Sequence, residues 1–245
     1  QNEQDNRGYG RFAKLPVIEP SDSQEALDFT RLAYDISEEF DTPVMLRITT
    51  RLAHSQTLVE EGEPKQVELK EYKKDAPKYV MLPGFARGRH VEVEKRLEGL
   101  KEYSNNTEIN RIEWGKRRLG VITSGVCYQY VREVMPDISV LKLGMVNPLP
   151  DKLIREFAEG VERVVIVEEL EPFLENETKA AAQEAGLLVP IAGKAEQLFS
   201  RLYEFDPALV RARLASFFEV SYEPPVPIST DDLPALPGRP PTLCP

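Results

Sequence analysis

Behind Ser21 the apolar residues Leu27, Phe29, Leu32, Ala33, Ile36 and Phe40 recur at roughly every third or fourth position. That repeat gives a helix one buried stripe. Ser21 and Gln24 form an S-x-x-Q capping box at its start, in which the hydroxyl serves an orphan amide and the amide side chain reaches back. Pro43 follows closely, and Val44, Leu46 and Ile48 then alternate with Met45, Arg47 and Thr49, the period-two pattern of a strand. With the strand-like LPVIEP ahead of it, this stretch predicts strand, helix, strand over residues 15–50. The polar opening, QNEQDNR, reads as a loop leading into the first of these strands.

The periodicity then fades. Residues 55–83 are charge-rich, with short possible strands at QVEL and KYVML, and read as a connecting arm. From Phe85 to Tyr103, His90, Val93, Leu97 and Leu100 keep step among many charges, which predicts a mainly exposed helix that SNNTEIN breaks. A second unit begins near Lys116: strand RRLGVITSG, helix VCYQYVREVM stopped by Pro136, strand SVLKLGMV, helix LPDKLIREFAEG, strand ERVVIVEEL, helix NETKAAAQEAG and a short strand LLVPI. Gly160 and Gly186 close two of the helices, where glycine tolerates the turn. Strands alternating with helices of about ten residues call for a parallel sheet with helices on both faces. The runs LGVI and VVIV, apolar on both faces, suit strands covered from both sides. Past Phe218 the chain becomes a linker: residues 224–245 hold eight prolines, which lack the amide that a ladder or helix needs.

Composition narrows the classes. Apolar residues at 41% support a core, and 31 Lys and Arg against 41 Asp and Glu leave a formal charge of -10. An acidic chain lacks the basic face that nucleic-acid phosphates or an anionic membrane would need. No run of about eighteen apolar residues and no signal-peptide pattern is present. The two cysteines, Cys127 and Cys244, are too few and too far apart for a disulfide framework, so a reducing, cytoplasmic setting is expected.

Candidate chemistry is sparse. The turn Thr123-Ser124-Gly125 is placed to cradle an anion at a helix N-terminus or to serve as a plain structural turn. Cys127, at the same helix start, is either an acidified thiol or a small buried residue. Glu168 and Glu169 end a strand where α/β sheets present groups to ligands; they suit acid–base work, a subunit contact or a helix-facing salt bridge. His54 and His90 have neither metal-ligand spacing nor a visible Ser-His-Asp set. The opening loop is the stronger candidate. Asn2, Glu3, Gln4, Asp5, Asn6 and Arg7 are dense in hydrogen-bonding side chains, and Arg7 or Arg11 could hold a carboxylate with its two-pronged guanidinium.

Three stretches resemble one family. QNEQDNRGYGRFAKLPVIEPSDSQEALDFTRLAYDISEEFDTPVMLRITTRLAHS is similar to the later part of the pyrimidine-binding domain in the alpha subunit of indolepyruvate:ferredoxin oxidoreductases, which are thiamine-diphosphate-dependent 2-oxoacid:ferredoxin oxidoreductases. RIEWGKRRLGVITSGVCYQYVREVM resembles the start of that family's next domain, which is like a transketolase C-terminal domain. RPPTLCP resembles the lead-in to its Cys-Pro-Gly-Cys-Pro segment, with Cys244 as that segment's first cysteine.

The resemblance implies an α/β fold in four parts. Residues 1–55 would end a pyrimidine-binding domain, 56–115 form an arm and helix, 116–220 form the transketolase C-terminal-like domain, and 221–245 lead toward a missing diphosphate-binding domain. It implies oxidative decarboxylation of aryl 2-oxo acids with coenzyme A, electrons passing to ferredoxin. Thiamine diphosphate, magnesium and 4Fe-4S clusters would serve the intact enzyme, with none expected to be held by this chain alone. The implied partners are a beta subunit and ferredoxin, in a dimer of heterodimers. Asn2, Gln4 and Arg7 would lie near the 2-oxo acid, and the glutamate that activates the aminopyrimidine would lie upstream. The expectation is thus an interior slice, inactive alone. The alternatives are a non-catalytic assembly or small-ligand-binding module, or another thiamine enzyme such as a transketolase or 2-oxoacid dehydrogenase beta subunit.

Overall fold

The computed structural model describes residues 4–64 and 66–221. Asn2, the proline-rich stretch and Cys244 lie outside the described residues. The chain opens with helix α1 (Arg7–Ala13), then strand β1 (Val17–Ile18), helix α2 (Ser23–Phe40) and strand β2 (Met45–Leu46). The strand–helix–strand reading of residues 15–50 is what forms. The opening is different: residues 7–13 are a helix, not a loop. Gly8 and Gly10 lower helix propensity locally, and tertiary packing overrides it. Gly10 is buried against β1, and a Cβ there would lie 2.1 Å from the Val17 side chain, so only glycine lets α1 lie this close to the strand. Lys14 in the left-handed conformation (φ 56°) then ends the helix.

The cap of α2 is shifted by one residue from the sequence reading. Asp22, not Ser21, is the N-cap, its side chain accepting from the Glu25 amide. Glu25, not Gln24, reaches back, accepting from the Ser21 amide and hydroxyl at 2.8 Å each. Phe29 and Ile36 carry the buried stripe.

Short helices α3 (Thr50–His54) and α4 (Ala76–Tyr79) flank the arm, and α5 (Pro83–Asn106) is the long, mainly exposed helix. The strands read at QVEL and KYVML do not form among the described residues. Val67 and Leu69 of QVEL stand exposed.

Beyond α5 come β3 (Arg111–Glu113), β4 (Lys116–Ser124), α6 (Gly125–Val134), β5 (Ile138–Leu143), β6 (Met145–Asn147), α7 (Asp151–Glu159), β7 (Arg163–Val167), α8 (Phe173–Glu184), β8 (Ile191–Ala192) and α9 (Pro207–Phe218). Five of these strands form one sheet, ordered β3-β5-β4-β7-β8. Its pairs are parallel except at edge strand β3, which runs antiparallel to β5. Val121, Val140 and Val165 pack with Val131 of α6 and Leu214 of α9. On the opposite face Ile122, Leu141 and Ile166 pack with Ile154 and Phe157 of α7 and Leu174 of α8. Helices thus cover both faces, as the doubly apolar runs predict. Helix α9 and strand β3 were not read from the sequence.

The reading of SVLKLGMV as one strand is also corrected. It breaks at Gly144, whose amide donates to the Ile109 carbonyl and the Asn110 side chain at 2.9 Å. A Cβ there would lie 2.6 Å from the Ile109 carbonyl oxygen. Past the break, β6 leaves the large sheet and pairs antiparallel with β1, itself parallel to β2. The small sheet, ordered β2-β1-β6, is therefore joined by continuous backbone to the large one.

Candidate functional site

Parallel strands end on polar residues at their carboxyl ends, and α/β folds bind ligands in the crevice outside those ends. Here β1 runs into Glu19, β2 into Arg47, β4 into Ser124 and β7 into Glu168 and Glu169. The carboxyl ends of both sheets meet, and with Arg7 these side chains line one small cleft.

Arg7 is the centre of it. The residue is 1% exposed, and α1 delivers it to the end of β7. Its Nη1 donates to Glu168 Oε2 at 2.7 Å. Nε and Nη2 grip Asp5, the latter at 2.5 Å from Oδ2. Nη2 also donates to the carbonyls of Glu169 and Glu171, at 3.2 and 3.1 Å. The Phe173 ring lies 5.1 Å from the guanidinium carbon. A buried cation in an α/β core needs such a complete set, since an unpaired charge there would be expelled or neutralised.

A second arginine does the same for the small sheet. Arg47 is paired with Glu19 and donates from Nε to the Asn6 side chain at 2.7 Å. The other Glu19 oxygen accepts from the Ser124 hydroxyl at 2.9 Å. Gly125, with φ +53°, stands so close that a Cβ would lie 2.6 Å from Glu19. The Thr123-Ser124-Gly125 turn thus faces a carboxylate of its own chain at the start of α6, and Thr123 donates to the Val167 carbonyl at 2.7 Å.

Electrostatics follow burial. Burial pushes the Asp5 carboxyl up, but hydrogen bonding and charge from Arg7, with Arg47 behind, outweigh it and hold Asp5 below the usual range. Burial raises Glu168 against the pull of Arg7 and two helix amides. Burial also raises Glu169, against the Phe205 amide that it accepts from. The Cys127 thiol is pushed well up by burial and then by Glu169 and Glu19, so it is a core thiol rather than an activated nucleophile. Tyr130, one turn along α6, is raised to about 12 by burial.

Of the sequence candidates, the structure brings Arg7, Ser124, Cys127, Glu168 and Glu169 together. Gln4 lies exposed at the start of the described chain, and His54 and His90 are exposed elsewhere. Sequence reasoning missed Glu19 and Arg47. Their signal was there: a charged residue directly after a short apolar strand, in VIEP and MLRIT. Among the described residues no group of three or more His, Cys, Asp or Glu could hold a metal ion, and no helix is long and apolar enough to cross a membrane.

Residues 115–223 match the family model described as an indolepyruvate oxidoreductase domain. The whole chain aligns with indolepyruvate oxidoreductase subunit IorA of Methanothermobacter marburgensis at 37% identity, and with that of Thermococcus kodakarensis at 38%, covering 40% of each. The chain is thus similar along its whole length to indolepyruvate oxidoreductase subunits. The resemblance carried by the opening and central stretches therefore holds, for a chain spanning about two fifths of the length of these IorA relatives. A 2-oxoglutarate:ferredoxin oxidoreductase from Magnetococcus marinus, solved with 2-oxoglutarate, coenzyme A and succinyl-CoA, superposes with a TM-score of 0.52 at 14% identity. It covers 82% of this chain and 42% of that one, and bears out the α/β fold with its mainly parallel sheet.

Proposed function

We propose that this chain is part of an oxidoreductase that oxidatively decarboxylates aryl 2-oxo acids such as indolepyruvate, with coenzyme A as acyl acceptor and ferredoxin as electron acceptor. The observation that carries the reading is the 36–38% identity along the whole chain to subunits named for indolepyruvate oxidation. The ferredoxin-linked, coenzyme A-binding neighbour of the same fold supports it at the level of class. The working assembly would include a beta subunit, as a dimer of heterodimers in the cytoplasm.

Thiamine diphosphate would supply the carbanion chemistry and iron–sulfur clusters the electron transfer when bound. The described residues do not fit those groups: no metal-holding cluster exists among them, and the one anion-cradling turn faces Glu19. We therefore assign the cofactors to other parts of the assembly and route no step through them. This chain's own role is positional. The chain would divide into four parts at about residues 55, 115 and 220. Asn2 and Gln4 are placed on the substrate side, and Arg7 anchors the segment that carries them at the carboxylate end of the 2-oxo acid.

The test is dye reduction by the complete polypeptide with its partner subunit. Indolepyruvate and coenzyme A together should reduce a viologen, and omission of either should abolish it. Reduction with 2-oxoglutarate but no aryl 2-oxo acid would overturn the substrate assignment; no reduction with any 2-oxo acid would overturn the reaction.

A further inference from the structure

We infer that Glu168 is the positioning residue that fixes the chain's N-terminal segment, through Arg7, to the end of the large sheet, and so sets how that segment meets a 2-oxo acid. The second half of the inference rests on the functional reading above; the first half stands on geometry alone.

Glu168 does two jobs with one carboxylate. Pro172, the N-cap residue of α8, offers that helix no side-chain cap. Glu168 takes that place, accepting from the Leu174 amide at 2.9 Å through Oε2 and from the Glu175 amide at 3.0 Å through Oε1. A carboxylate against orphan amides at a helix N-terminus is held by both hydrogen bonds and the helix dipole. The carboxylate is therefore fixed before any partner arrives. Onto the same Oε2 comes Arg7 Nη1, 161 residues away in sequence. Strand β7 sits between β4 and β8, and its last residue, Val167, pairs with Thr123 of β4.

The fixed point is passed on toward the N-terminus. Arg7 grips Asp5 through Nε and Nη2, and its own amide donates to Asp5 Oδ1 at 3.1 Å. Arg47 holds Asn6 between them. Residues 5–7 are thus clamped by two guanidiniums, and the chain emerges exposed at Gln4. Loss of the Glu168 charge would remove the charged part of the anchor, leaving Arg7 only the Glu169 and Glu171 carbonyls there, with every residue of the segment intact. That separates a positioning role from contact with substrate.

The experiment uses the complete polypeptide with its partner subunit, and Glu168→Gln. The amide oxygen can still accept hydrogen bonds, but the variant loses the negative charge that pairs with the guanidinium and puts an NH2 donor in place of one carboxylate oxygen. Amide exchange over residues 5–14, measured without substrate, should accelerate about tenfold. The KM for indolepyruvate should rise about tenfold with kcat changed less than threefold, the pattern of lost binding rather than lost chemistry. The KM for coenzyme A should stay put. Adding Arg7→Ala to Glu168→Gln should raise the KM no further, because both act through one link. Should Glu168→Gln fail to fold, Arg7→Lys takes its place: it keeps a cation for Glu168 but loses the fork on Asp5, with the same expected pair of effects. Unchanged exchange in the folded variant overturns the anchoring role. Faster exchange with an unchanged KM keeps the anchor and removes the segment from the substrate side.

Discussion

Arg7 and Arg11 sit one helical turn apart in α1, yet their surroundings make them different residues. Arg7 is sealed among Asp5, Glu168 and two backbone carbonyls. Arg11 makes a surface pair with Glu177, its side chain 64% exposed. Removing one partner of a buried pair leaves an uncompensated charge, which costs about 3–5 kcal/mol; an exposed pair is worth about 0–1 kcal/mol. Urea unfolding of Arg7→Ala should therefore show a loss of about 3 kcal/mol, and Arg11→Ala a loss under about 1 kcal/mol. Equal losses would refute the burial argument. Gly160 offers a second contrast at this scale. A Cβ there would lie 2.3 Å from the Trp114 ring, which stacks on Phe157 at 5.6 Å. Gly160→Ala should shift the fluorescence of this single tryptophan and cost about 1–3 kcal/mol, the usual range for overpacking. The sequence offered Gly160 only as a helix stop, because nothing local reveals that a ring lies over it. Arg7 stood out by its polar neighbours, but its partner Glu168 is too distant in sequence for any local pattern to connect them.

Helix α2 carries most of what an element can show. Its Asp22 cap should be worth about 1 kcal/mol, so Asp22→Ala should lower the unfolding free energy by that much. Glu25 in its first turn faces Lys142, buried on β5, at 2.5 and 2.6 Å. Burial pushes the Glu25 carboxyl up, but Lys142 and Ser21 outweigh it and leave it below its ordinary value. A carboxyl depressed in the folded state adds stability that is full above about pH 4.3, the ordinary glutamate value, and is lost as pH falls through the folded value. Wild-type stability should accordingly drop on acidification below that pH, and Glu25→Gln should flatten the drop. A variant as pH-sensitive as wild type there would contradict the assignment. Elements with a strong period of their own, such as α2, α5, β4 and β7, were legible in the sequence. Those set by distant partners were not. Helix α1 contains two glycines and forms because β1 packs on it, whereas QVEL has strand chemistry but no strand beside it. Helix α9 begins on an Asp206 cap with Pro207 behind it, a start signal that is legible in the sequence.

At the scale of the molecule, two sheets share one charged seam. Glu19 and Arg47 close the small sheet, Ser124 and Glu168 close the large one, and Arg7 with Glu19 crosses between them. The parallel α/β order of the large sheet was plain from alternating strands and helices. The seam was not, since it is assembled from five segments spread between residues 5 and 171. This seam makes the two sheets one cooperative body and holds the N-terminal segment in place. The direct test is urea unfolding of this chain followed at once by Trp114 fluorescence, which reports the large sheet, and by exchange of the Met45 and Arg47 amides, which bond across the small sheet to Pro16 and Ile18. One shared midpoint is the predicted result; loss of the Met45 and Arg47 protection at clearly lower urea than the fluorescence change would contradict it.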